Sequence, residues 1–170
     1  MPHVLRTLFW VFFTLLPLCA SAQATDSLLK ELSGLKRDRL RVLTLHKLAS
    51  QSWDYSFETG LTYSKEAYDI AKDMSSTELI AMAATDIGLY YYFVGDYPTS
   101  KKYFTEALTV IGKENYGEYP AYTLTRIGNL YRVQGDYDSA RQYYEKTLLA
   151  LQNMKADIAR SSVYHNIGWL

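Results

Sequence analysis

Apolar residues along the chain fall at helical spacing, and the pattern comes back. Tyr103-Phe104, Ala107-Leu108 and Ile111 lie three to four residues apart, which makes one apolar stripe on a helix. Just upstream, Ile87-Gly88-Leu89-Tyr90-Tyr91 sits in a second helical pattern that Gly95 stops in a left-handed conformation. Asp96 is placed to cap the following helix, and Pro98 falls in its first turn, where a missing N–H costs nothing. Tyr90-Tyr91-Tyr92-Phe93-Val94 has strand propensity, but the stop and cap beside it fit a helix better.

The same pattern recurs 40 residues on. Ala81 matches Ala121, Thr85 matches Thr125, Ile87-Gly88 matches Ile127-Gly128, and Tyr91 matches Tyr131. Gly95-Asp96-Tyr97 matches Gly135-Asp136-Tyr137, Tyr103 matches Tyr143, and Leu108 matches Leu148. Ile167-Gly168 stands a further 40 residues beyond Ile127-Gly128. The pattern predicts an all-α chain with helix pairs over 75–114 and 115–154, and the first helix of another pair over 155–170. Upstream the signal weakens. Leu45, Leu48 and Ala49 predict one helix and Gly60, Tyr63, Ala67, Ile70 and Ala71 a second, so 37–74 reads as a degenerate unit whose turn at Asp54-Tyr55-Ser56 lacks glycine. Before it, within 23–36, Asp26-Ser27-Leu28-Leu29-Lys30-Glu31-Leu32 predicts a short capping helix stopped by Gly34.

These units resemble the tetratricopeptide repeat. The positions that carry the resemblance are Gly88, Tyr91, Ser100, Phe104 and Ala107, then Gly128, Tyr131, Ala140, Tyr144 and Thr147. The Gly-Asp-Tyr turn in both units makes the match specific, and it runs from Leu79 to Leu170. Two departures stand out. The 40-residue unit exceeds the usual repeat of about 34, which implies longer helices or turns. Thr147 replaces the family's Ala, which predicts looser helix packing there. The resemblance implies a tetratricopeptide-like superhelix of antiparallel helix pairs. Gly88 and Gly128 then allow close helix approach, and most of the 16 tyrosines fill the space between pairs with hydroxyls near water.

The resemblance also implies a groove for a protein or peptide ligand, lined by the first helix of each pair. Its candidate residues are Met82, Thr85, Asp86, Leu89, Tyr92 and Phe93, followed by Tyr122, Thr125, Arg126, Asn129 and Arg132. Ser162, His165, Asn166 and Trp169 continue the row. The Lys/Asn arrangement with which family members clamp a chain-terminal carboxylate is not matched, although Arg126 and Arg132 suit one acidic group. Tyr92, Phe93 and Trp169 either contact a ligand or pack against neighbouring helices.

Composition narrows the function classes. With 18 Lys+Arg against 18 Asp+Glu, no basic excess exists for nucleic acid. At 48% hydrophobic residues the chain is ordinary globular material. Residues 1–22 predict a secretory signal peptide: Arg6, an apolar run from Leu8 to Leu18, and a small-residue exit at Ala20-Ser21-Ala22. The run is shorter than the about 20 residues that span a bilayer. An uncleaved anchor, or lipidation at Cys19, is the alternative; Leu18 precedes that cysteine where a small residue is usual. Cleavage leaves 17 bases, 18 acids and no cysteine, so stability must come from packing.

Motifs for chemistry are absent. His46 and His165 lie far apart with no Cys or HExxH spacing, and no phosphate loop or nucleophile motif occurs. The expectation is therefore a non-enzymatic binding module without cofactor or metal, on the periplasmic or extracellular side of a bacterial membrane. A structural assembly scaffold would share the fold. A second expectation comes from the last residues: Trp169-Leu170 falls inside the first helix of a repeat, as in the N-terminal piece of a longer protein. The whole arrangement is similar to exported sensor regions of membrane-bound bacterial histidine kinases and helix-turn-helix regulators. In those, the membrane is reached only through a downstream segment.

Overall fold

The computed structural model describes residues 25–52, 56–112 and 118–170, with the side chain of Glu118 outside that set. The expected signal peptide with Cys19, and the turn residues Asp54-Tyr55, lie outside the described residues. Those described form eight helices and no strand: α1 (25–34), α2 (Arg39–Ser52), α3 (Phe57–Asp73), α4 (Thr77–Phe93), α5 (Tyr97–Ile111), α6 (Glu118–Val133), α7 (Tyr137–Ala150) and α8 (Asp157–Gly168).

The turns inside the pairs are set by short-range chemistry. Gly95 and Gly135 take φ of +82° and +79°, where a Cβ would clash with its own backbone. The next residue caps the second helix: Asp96 Oδ1 accepts from the Thr99 N–H at 3.2 Å, and Asp136 Oδ1 from the Ser139 N–H at 3.0 Å. At α3 the cap is Ser56, accepting from Thr59 N–H at 3.3 Å. Between α3 and α4 the chain turns at Ser75 with φ +52°, a left-handed position that no glycine marks in the sequence.

Within each pair the two helices meet at the expected glycines. A Cβ on Gly88 would stand 2.7 Å from the Phe104 ring, and one on Gly128 2.5 Å from the Tyr144 ring. Both rings are fully buried as a result. Ser100 Oγ also donates to the Gly88 carbonyl at 2.8 Å. The looser packing expected at Thr147 is not found. Thr147 is as buried as Ala107, because its hydroxyl donates to the Tyr143 carbonyl at 2.9 Å inside its own helix.

Successive pairs then stack. α4 packs against α2, α3, α5 and α6, so it is the most enclosed helix of the set. Direct contacts of α2 with α4 and of α4 with α6 place the first helices of the pairs side by side on one layer. Leu28 and Leu32 of α1 close one end of the core against Val42 and Leu45. At the other end Val163 is buried beside Ala140 and Tyr144. Trp169 is 70% exposed, whereas Leu170 is half-buried and packs into that same cluster. Among the described residues, no helix is long and apolar enough to cross a membrane.

Candidate peptide-binding groove

The layer of α2, α4, α6 and α8 carries one register position at each step of 40 residues: His46, Asp86, Arg126 and Asn166. Neighbours along this row interact. His46 Nδ1 and Asp86 Oδ2 are 2.6 Å apart across α2 and α4. The hydrogen bond to Asp86 holds His46 protonated above its ordinary range, against the opposing effect of burial. Burial pushes the Asp86 carboxyl up, and the hydrogen bond and charge of His46, followed by the field of Arg126, pull the other way. The pair therefore holds its proton more tightly than a free imidazole does, and joins α2 to α4.

The expected groove residues divide by helix. On α4, Met82, Thr85, Asp86 and Leu89 are buried and do not line an open surface. Their helix is flanked on both sides, so its inner face is covered by α2 and α6. Met82 joins the core beside Leu45 and Leu48, and Leu89 packs with Phe104 and Ile127. Thr85 Oγ1 lies 2.9 Å from Thr123 Oγ1 of α6, and also donates to the Ala81 carbonyl. Of the expected residues on α4, only those at its C-terminal end reach the surface. There Tyr92 is half-buried, and Phe93 is exposed with its ring stacked on Phe57 at 5.9 Å.

On α6 the candidates stay accessible. Tyr122 is exposed, while Thr125, Arg126, Asn129 and Arg132 are half-buried. Arg126 lies over the Tyr122 ring, 4.4 Å from its centroid, and its Nη2 donates to the Tyr122 hydroxyl at 2.8 Å. Thr125 spends its hydroxyl on the Ala121 carbonyl. Tyr144 Oη, reaching through from α7, donates to Asn129 Oδ1 at 2.7 Å. Asn166 Nδ2 approaches the same oxygen at 3.5 Å. The phenol of Tyr92 is pushed up by burial, against the positive fields of Arg132 and Arg126, so this hydroxyl lies within the influence of both cations. Burial likewise raises Tyr144, opposed by its hydrogen bond with Arg132. One atom on each arginine is left over: Arg126 Nε and Arg132 Nε are buried without a hydrogen-bond partner among the described residues.

On α8, Ser162 and His165 are exposed, and Trp169 Nε1 donates to His165 Nε2 at 2.9 Å. Sequence reasoning missed His46 as a member of this row and Tyr144 as the buried partner of Asn129. His46 was detectable as the residue 40 positions before Asp86. A second cleft, of about 500 Å³, opens on the other side between α5, α6 and α7. Leu108, Pro120, Leu124 and Leu149 line it, and no expected groove residue does. Among the described residues, no group of three or more His, Cys, Asp or Glu side chains comes together as a metal site.

Comparison with known proteins defines the class. Residues 79–153 match the family model of the tetratricopeptide repeat. Solved structures superpose over a longer stretch. BtubC (BKLC) from P. vanneervenii aligns at a TM-score of 0.73 and 18% identity over 88% of this chain; the chain spans 65% of BtubC. The TPR domain of Arabidopsis FLU aligns at 0.59 and 18% identity, over 66% of this chain and 96% of that domain. Nearly identical TPR-like repeats from Podosopora anserina align at 0.65 and 12% identity, over 88% of this chain and 76% of theirs. Among curated proteins, no sequence matches. The fold is a tetratricopeptide-like superhelix, and its two central pairs carry the sequence signature of the repeat.

Proposed function

We propose that this chain is an exported, non-catalytic module that binds a protein or peptide on the layer formed by α2, α4, α6 and α8. The observation that carries the reading is the open face of α6. Tyr122, Arg126, Asn129 and Arg132 present aromatic and cationic groups there, and two arginine Nε–H donors lack an acceptor. Tyrosine and arginine are the side chains that most often anchor protein interfaces. Export is supported by the charged, apolar and small-residue segments of residues 1–22. The sensor assignment adds nothing to the groove and needs a domain outside this chain.

The test compares capture of envelope proteins by the wild type and by a Tyr92→Ala, Arg126→Ala, Arg132→Ala triple variant. The reading expects one identifiable partner to be lost with the variant while helix content is kept. Equal capture by both proteins contradicts a groove on this face. Export is tested separately, by fusing residues 1–22 to a reporter that is active only outside the cytoplasm.

A further inference from the structure

We propose that the ligand of this face is an acidic, extended polypeptide segment whose side-chain carboxylates pair with the half-buried guanidinium groups of Arg126 and Arg132. The proposal rests on the reading of this face as a binding surface, and specifies the chemistry of what binds.

The polar atoms that α6 offers here are donors. Arg126 Nε and Arg132 Nε are buried and unpartnered, and a guanidinium has no acceptor atom. Asn129 lies between them in sequence. Its oxygen already receives the Tyr144 hydroxyl at 2.7 Å and faces Asn166 Nδ2, so its free polar group is the amide NH₂. Tyr122 Oη is taken up by Arg126 Nη2. A surface of donors calls for a ligand of acceptors. The carboxylate is the protein acceptor that matches a guanidinium in both charge and shape.

The carboxylate on which the charge of Arg126 acts does not satisfy these donors. Asp86 is buried and bound to His46 at 2.6 Å, and among the described residues neither arginine forms a salt bridge. The row thus runs from a self-compensated pair, His46 with Asp86, to two cations with no counter-charge in contact. An incoming carboxylate supplies the counter-charge that both guanidinium groups lack among the described residues. Spacing favours an extended segment. Arg132 stands six positions after Arg126 on the helix, a rise of about 9 Å. Alternate residues of an extended chain stand about 7 Å apart on one face. Two flexible guanidinium groups bridge that difference. The stacked Tyr122 and the half-buried Tyr92 supply apolar ground beside them for the segment's backbone.

The experiment is a binding titration of the full chain with three synthetic peptides, each labelled at one end. One alternates Glu and Ser, one alternates Gln and Ser, and both are blocked at their termini. The third is the Gln peptide with a free terminal carboxylate. The proposal expects the Glu peptide to bind at least about tenfold tighter than the Gln peptide, with a preference that weakens as salt rises. An Arg126→Gln, Arg132→Gln variant with unchanged helical circular dichroism should bring the two blocked peptides to equal affinity. Several results overturn it. Preference for Glu that survives the double variant places the acidic contact elsewhere. If both blocked peptides bind the wild type equally and lose binding with Tyr92→Ala, the groove stands and its acidic specificity falls. Binding of the free-ended peptide alone assigns the carboxylate to a chain terminus. If no peptide binds, the proposal and the groove reading fall together.

Discussion

At the scale of single residues, two glycines and one ion pair carry the structure. Gly88 and Gly128 are required because a methyl group would enter the rings of Phe104 and Tyr144 at 2.7 and 2.5 Å. Those rings are fixed in the core and cannot swing aside. Gly88→Ala and Gly128→Ala should each destabilise by about 1–3 kcal/mol in urea unfolding. Gly34→Ala, with nothing within 4 Å of its Cβ, is the control and should leave stability nearly unchanged. The His46–Asp86 pair gives a pH signature. His46 is raised in the folded state, so the fold binds its proton more tightly than the unfolded chain does. That stabilisation is complete below the unfolded value near about 6.5 and is lost as pH rises through the folded value. Melting curves from slightly acid to alkaline pH should show wild type losing stability relative to His46→Gln. Parallel curves would mean that the pair holds no proton in the fold. The close packing at both glycines was legible in the sequence, because each glycine stands opposite an aromatic at the repeat's fixed spacing. The ion pair was not read: the 40-residue offset sets His46 opposite Asp86, but the residues around His46 share little else with the later units.

At the scale of helices and turns, the chain is punctuated by Gly-Asp steps. Gly95 and Gly135 reverse the backbone with positive φ, and Asp96 and Asp136 cap the next helix. Replacing either aspartate with Ala should cost about 1 kcal/mol, read from the unfolding midpoint. Gly95→Ala and Gly135→Ala should each cost about 1–2 kcal/mol, because the left-handed backbone then bears a Cβ. These turns were read from the sequence because their chemistry is local. Ser75 was not, since a serine with φ +52° carries no mark of that conformation. The groove shows the same division. The resemblance put Met82, Thr85 and Leu89 on the same inward face as Arg126 and Asn129, and α4 and α6 do lie side by side. Whether that face is open depends on the neighbouring helices, which a single-helix pattern does not contain. α4 has neighbours on both sides and is sealed over those positions, while α6 is not.

At the scale of the molecule, the stack has one layer of first helices and one of second helices. The inner layer holds the donors of α6; the outer holds the apolar cleft beside Leu108 and Leu149. Repeat architecture sets both, because each pair contacts only its neighbours. Fold class was readable from the 40-residue period alone. The layer that binds a partner was not, since both expose aromatic and apolar side chains. Site-specific photo-crosslinking in the native cell separates them most directly. A photoreactive phenylalanine analogue at Tyr122 reports on the inner face, and the same analogue at Leu149 on the outer cleft; both positions are exposed. The account predicts a discrete protein adduct from position 122 that weakens when Arg126 and Arg132 are changed to Gln. An adduct from position 149 alone would contradict it.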